Sequence, residues 1–148
     1  MIYKNIVVAI DLAQPSDLII GKSLLLAKSL GANLSFIHVD ISNLDADNDI
    51  SAADVVLPYN DAEAMVVSGL KRKLENQLEA LCESIDYPVS NTVIVLGREV
   101  ESELAEAIKK MDVDLLVCGH HHGFWNHWWS SAHKLIDLTV VDLLLIRL

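Results

Sequence analysis

Short runs of Val, Ile and Leu alternate along the chain with longer stretches whose apolar residues recur at helical spacing. Tyr3 to Ile10 is a near-continuous apolar run that ends at Asp11, the pattern of a central strand buried on both faces. Gln14-Pro15-Ser16-Asp17 reads as a loop and helix start, with Ser16 as N-cap and Asp17 in the first turn. Ile20, Leu24, Ala27 and Leu30 form the inner stripe of that helix, and Gly31 stops it. Asn33 to Val39 predicts the second strand. An acidic, polar stretch from Asp40 to about Asn60 follows, too long for a turn, and reads as a surface excursion.

Leu70, Leu74, Leu78, Leu81 and Ile85 then mark a long amphipathic helix ending before Tyr87-Pro88. Ser90 to Leu96 is the third strand, closed by Gly97. Val100, Leu104, Ile108 and Met111 are the inner face of the next helix. Glu99, Glu101 and Glu103 lead it and Lys109 and Lys110 finish it, the order the helix dipole favours. Asp114 to Cys118 predicts a fourth strand running into Gly119. A His- and Trp-rich loop, a helical piece around Ser130 to Leu138, and a last strand from Val141 to Ile146 complete the series.

Five strands alternating with four helices imply right-handed crossovers and a parallel, doubly wound α/β sheet. Ligands in such sheets bind beyond the carboxyl ends of the strands, where strand order reverses. With the first and fourth strands as neighbours there, Asp11 and Gly119 face one crevice.

Composition narrows this picture. The chain has 148 residues, the size of one domain, and no repeat or linker divides it, so a single domain over residues 1–148 is expected. Apolar residues make up 52% and aromatics 5%, the filling of a helix-covered parallel sheet. No apolar stretch reaches the roughly 20 residues that span a bilayer, and the start MIYKNIVVAID lacks the layout of a secretory signal. A cytoplasmic protein is expected. A net charge of −10 disfavours nucleic acid and anionic lipid as partners. Cys82 and Cys118 read as reduced core residues.

YKNIVVAIDLAQPS at the front, IHVD at Ile37 to Asp40, VDLLVCGHHHGFW, SSAHKLI and the closing VDLLLI together resemble the universal stress proteins over essentially the whole chain. The resemblance implies a flavodoxin-like sheet of order 3-2-1-4-5. It also implies a homodimer formed by pairing the final strands, here through Val141, Leu143, Leu144, Leu145 and Ile146. An edge strand this apolar is an association hazard unless it is paired, and isologous pairing satisfies its backbone.

Nucleotide-binding members of that family carry a loop after the fourth strand: Gly-x-x-Gly, nine residues, Gly, then Ser or Thr. Glycines let backbone N–H groups approach the phosphates, and the hydroxyl donates to them. On this chain the first glycine matches Gly119, but the later places fall on His122, Ala132 and His133. Gly123, Ser130 and Ser131 stand out of step. Asp11 matches the acidic residue after the first strand without discriminating between binding and non-binding members. The resemblance is therefore to the A-type stress proteins, which do not bind ATP. It implies no enzyme activity and no cofactor, and a role in stress response and DNA-damage resistance. Phosphorylation, known for such proteins, has Ser130 and Ser131 as candidates by position. The alternatives are a nucleotide-dependent switch and a metal-binding protein built on the histidines.

Five of the six histidines lie between His120 and His133. His120 and His122 can point the same way in an extended loop, joined by His127 or His133, but no carboxylate or cysteine stands at a recognised ligand spacing. Filling the vacated crevice is the simpler role, and no metal is expected. Phe124, Trp125, Trp128 and Trp129 read as packing residues, or else as a partner-binding hot spot. Asp45, Asp47, Asp49 and Ser51 imitate a calcium loop that fails at Ile50, Ala53 and Val56. No residue set forms a nucleophilic or acid–base machine: Cys118 beside His120 closes a core strand, where thiols are usually inert.

Overall fold

In the computed structural model the described residues are 2–12, 15, 17–40, 61–96, 100–120, 137 and 140–148. They form a five-stranded parallel sheet of order β3-β2-β1-β4-β5. The strands are β1 (Asn5–Ala9), β2 (Asn33–Asp40), β3 (Val89–Leu96), β4 (Leu115–His120) and β5 (Asp142–Arg147). The helices among the described residues are α1 (Asp17–Leu30), α2 (Asp61–Glu83) and α3 (Val100–Lys110). Strand order and parallel pairing agree with the sequence expectation.

Three helices are therefore described where four were expected. The stretch from Ser130 to Leu138 lies outside the described residues apart from Asp137, as do Ser16 and the excursion over 41–60. Helix α2 begins nine residues before its leucine stripe, at Asp61, and ends at Glu83. Strand β4 runs two residues past Cys118, because Gly119 and His120 pair with Ile146 and Arg147.

Alternation of side chains sends the apolar runs to both faces of the sheet. One face carries Ile6, Val8, Leu34, Phe36, Leu115 and Val117 against Ile19, Ile20 and Ala27 of α1 and Leu78 of α2. The other carries Val7, Ile37, Leu116 and Cys118 against Leu104 and Ile108 of α3. Each of the Val, Leu, Ile and Phe side chains among these stabilises the fold by about 1.5–3 kcal/mol when fully removed from water. Within α1 the buried stripe is Ile19, Ile20, Ser23 and Ala27, and the Ser23 hydroxyl finds no hydrogen-bond partner among the described residues. Leu24 and Leu30, expected on the inner face, are half-buried.

Gly31 ends α1 in the left-handed region, at φ 62°. The Ala32 N–H then reaches back to the Ala27 carbonyl at 3.0 Å, the closing bond of a Schellman turn. From the neighbouring connection the Tyr87 hydroxyl donates to the Ala32 carbonyl at 2.6 Å, tying the approach to β3 onto the end of α1.

A polar lattice sets the register at the amino end of the sheet. The Asp114 carboxylate accepts the backbone N–H groups of Lys4 and Asn5 at 2.7 and 2.8 Å. The Asn5 amide donates to the Asp112 carbonyl at 3.1 Å, and the Asn33 amide donates to the Asn5 side-chain oxygen at 2.9 Å. The Tyr3 hydroxyl donates to Asp142 at 2.8 Å, which reaches the head of β5. The two backbone donors hold the Asp114 carboxyl below the ordinary carboxylate range.

A depressed folded-state value means that this stabilisation is fully present above the unfolded carboxyl range, near pH 4. It is lost as pH falls through the lower folded value. Asp114→Asn is expected to lower the urea midpoint at neutral pH, and the gap from the parent protein should close progressively below about pH 4. Unfolding curves collected from pH 7 to pH 3 measure it.

Candidate ligand crevice

The carboxyl ends of β1 and β4 lie side by side, with Ala9 aligned on Cys118. Beyond Ala9 the chain leaves the sheet through Ile10, whose N–H still donates to the Ile37 carbonyl at 2.9 Å. Asp11 follows, half-buried, and then Leu12. Beyond Cys118 come Gly119, fully covered, and His120, whose backbone pairs with Arg147 of β5. Asp11 and Gly119 thus follow the two strands between which strand order reverses.

Gly119 has a packing reason for lacking a side chain. A Cβ there would lie 2.6 Å from Leu148 Cδ1, 3.2 Å from Leu148 Cγ and 3.5 Å from Ile19 Cδ1. Apolar groups therefore fill the side of Gly119 that a side chain would occupy. Neither Leu148 nor Ile19 stood out in the sequence, since an isolated Leu or Ile carries no site signal.

His38 was also passed over, although it lies within the IHVD element. It is the histidine apart from the cluster and the one polar ring in the β2 run. The ring is buried, with its Nδ1 2.9 Å from the Ile10 carbonyl and 3.2 Å from the Leu12 amide nitrogen. A side chain of β2 thus grips the backbone on both sides of Asp11.

His122, Ala132 and His133 lie outside the described residues, and so do Gly123, His127, Ser130 and Ser131. The aromatic loop from Phe124 to Trp129 and the acidic loop from Asp45 to Val56 lie outside them too. Among the described residues no group of three or more His, Cys, Asp or Glu side chains is placed to hold a metal ion. Cys118 is buried, and burial pushes its thiol up to about 12. A thiol held so far above neutrality supplies almost no thiolate, so Cys118 serves the core. Cys82, half-buried on α2, is also raised, by burial first and then by Glu79.

A separate cleft of about 350 Å³ lies between β3 and α3. Val93, Val95, Ala107 and Met111 line it, with Glu103, Glu106 and Lys110 at its rim. Glu106 and Lys110 pair at 2.9 Å.

At the opposite edge of the sheet, β5 bonds to β4 alone among the described strands. Leu144 and Leu145 are each about 40% exposed, whereas Ile146 turns into the core and Val141 and Leu143 pack beneath α3. No helix among the described residues is long and apolar enough to cross a membrane.

The fold is that of a doubly wound α/β protein whose strand order reverses between β1 and β4. Residues 2–147 match the universal stress protein family, and the chain belongs to it. Over all 148 residues it is 34% identical to universal stress protein A of Yersinia pestis, covering 94% of that protein. A universal stress protein structure from Burkholderia pseudomallei superposes with a TM-score of 0.64 at 19% identity, over 98% of this chain and 96% of that one. The universal stress protein of Archaeoglobus fulgidus in complex with dAMP superposes with a TM-score of 0.52 at 17% identity, over 99% of each chain. At these identities the two structures speak for the fold alone.

Replacing Gly119 by Ala is expected to push Leu148 off the sheet. The cost should sit at the lower end of the 1–3 kcal/mol typical of overpacking, about 1 kcal/mol, because the clashing atom ends a flexible side chain. Urea denaturation of the variant measures it, and Gly119→Ala combined with Leu148→Ala should recover part of the loss.

Proposed function

We propose that this chain is an A-type universal stress protein: a cytoplasmic, homodimeric, non-enzymatic stress-response protein that works by binding or signalling, with a degenerate nucleotide crevice. The observation that carries this reading is the state of the phosphate loop. Its first glycine, Gly119, is packed against Leu148 and Ile19. The next three positions of the nucleotide-binding pattern are His122, Ala132 and His133. An imidazole where a backbone must approach a phosphate takes up that space, and a chain of net charge −10 adds no general attraction for a triphosphate. Likeness over the full length to a universal stress protein A supports the same assignment.

A second reading, a nucleotide-dependent switch, draws on the Archaeoglobus fulgidus protein of the same fold that was solved with dAMP. Titration of the purified, metal-stripped protein with ATP and with dAMP separates the two readings, followed by tryptophan fluorescence and calorimetry. Trp125, Trp128 and Trp129 all fall between the first and third glycine positions of the loop, so an occupied crevice should change their emission. No saturable response up to millimolar nucleotide is expected. Micromolar binding of either nucleotide would establish the switch and overturn the degenerate site.

Dimer formation rests on the edge of β5 that pairs with no other described strand, where Leu144 and Leu145 present apolar surface on the two sides of the strand. A dimer is expected in sedimentation analysis at micromolar concentration. Leu144→Lys with Leu145→Lys should shift it to monomer while the far-ultraviolet circular dichroism stays unchanged. A parent protein that sediments as a monomer ends this part of the reading.

A further inference from the structure

The two contacts of His38 converge on one nitrogen, and that nitrogen cannot serve both at once. Nδ1 lies 2.9 Å from the Ile10 carbonyl oxygen, a partner it meets only as an N–H donor. It also lies 3.2 Å from the Leu12 amide, a partner it meets only through its lone pair. Whichever state the ring adopts, one of two backbone groups beside it loses its bond. The ring itself has little room to move, being 5% exposed on the face shared with Leu34 and Phe36.

We propose that His38 is a two-position latch on the segment that carries Asp11. With the ring proton on Nε2, Nδ1 accepts the Leu12 N–H and draws the segment toward β2. With a proton on Nδ1, the ring donates to the Ile10 carbonyl and releases the Leu12 N–H. Imidazolium always carries a proton on Nδ1, so acidification selects the released position. The consequence falls at the carboxyl end of the sheet: a backbone donor one residue past Asp11 passes from internal bonding to availability for an incoming acceptor. The latch is independent of whether the crevice takes a nucleotide.

Carboxylates stand on the elements packed around the ring. Asp11 lies on the latched segment, Asp17 in the first turn of α1 and Asp40 two places along β2. Strand β1 brings no charge between Asn5 and Ala9, and β3 faces His38 with Ile94. On α2, Lys71, Arg72, Lys73 and Glu75 are exposed to solvent.

Nitrogen-15 NMR of the native full chain tests the latch directly, by following the His38 ring nitrogens and the Leu12 amide from about pH 8 to about pH 5.5. The expected result is that the Leu12 amide resonance moves where Nδ1 gains or loses its proton, and not elsewhere. Exchange protection of Leu12, corrected for the intrinsic pH dependence of exchange, should fall roughly fivefold or more, the effect of losing one hydrogen bond. His38→Gln keeps a hydrogen-bonding side chain that does not titrate and should abolish the Leu12 response. Retention of that response in His38→Gln would assign it to the histidines between His120 and His133 and overturn the latch. A ring whose Nδ1 keeps one protonation state throughout the range, or a Leu12 amide that does not follow the Nδ1 proton, overturns it in the parent protein without recourse to a variant.

Discussion

Burial of β1 between β2 and β4, with apolar residues on both of its faces, is the constraint from which the other features follow. Every residue from Ile6 to Val8 is removed from water, two toward α1 and one toward α3. A strand in that position must hand its backbone to neighbours on both sides, since an unmet N–H or C=O there has no water to turn to. It also forces helices onto both faces, because neither face is tolerable when wet.

The two ends of that strand are managed by different chemistry. At the amino end the fixed charge of Asp114 accepts two consecutive N–H groups and holds β1 against β4. At the carboxyl end an imidazole ring, that of His38, meets both an acceptor and a donor of the departing chain. A carboxylate that accepts only makes a firm anchor. A group that can donate or accept at the same atom makes a junction with a choice. The end with the choice is also the end where doubly wound sheets place ligands.

The strands and helices of the described region were legible because their periodicities are clean. Val7 and Val8 fall on opposite faces in a run too short for a helix, Leu74 and Leu78 repeat one turn apart, and Gly31 stands where a left-handed residue is required. Boundaries shifted where a partner decided them. Strand β4 continues through Gly119 and His120 because β5 lies alongside, a pairing between residues far apart in the chain. Motif and topology together set Asp11 and Gly119 at the strand ends where the order reverses, a place that the pairing of β1 with β4 gives them. His38 escaped because a single histidine in an apolar strand gives no sign of what its ring will meet.

Local pattern therefore determined the class of fold, the order of elements, the family resemblance and the departure from the Gly-x-x-Gly pattern after β4, since each depends on residues close together in the chain or at a fixed spacing. Tertiary structure decided which atoms meet. Leu148 comes to rest on Gly119, Asp114 reaches Lys4 and Asn5, Tyr87 reaches Ala32, and His38 reaches Ile10 and Leu12. The physical reason is the same in each case: a hydrogen bond or a van der Waals contact is settled within a few tenths of an ångström. Only the closed sheet, with its helices packed down, brings distant residues to that precision.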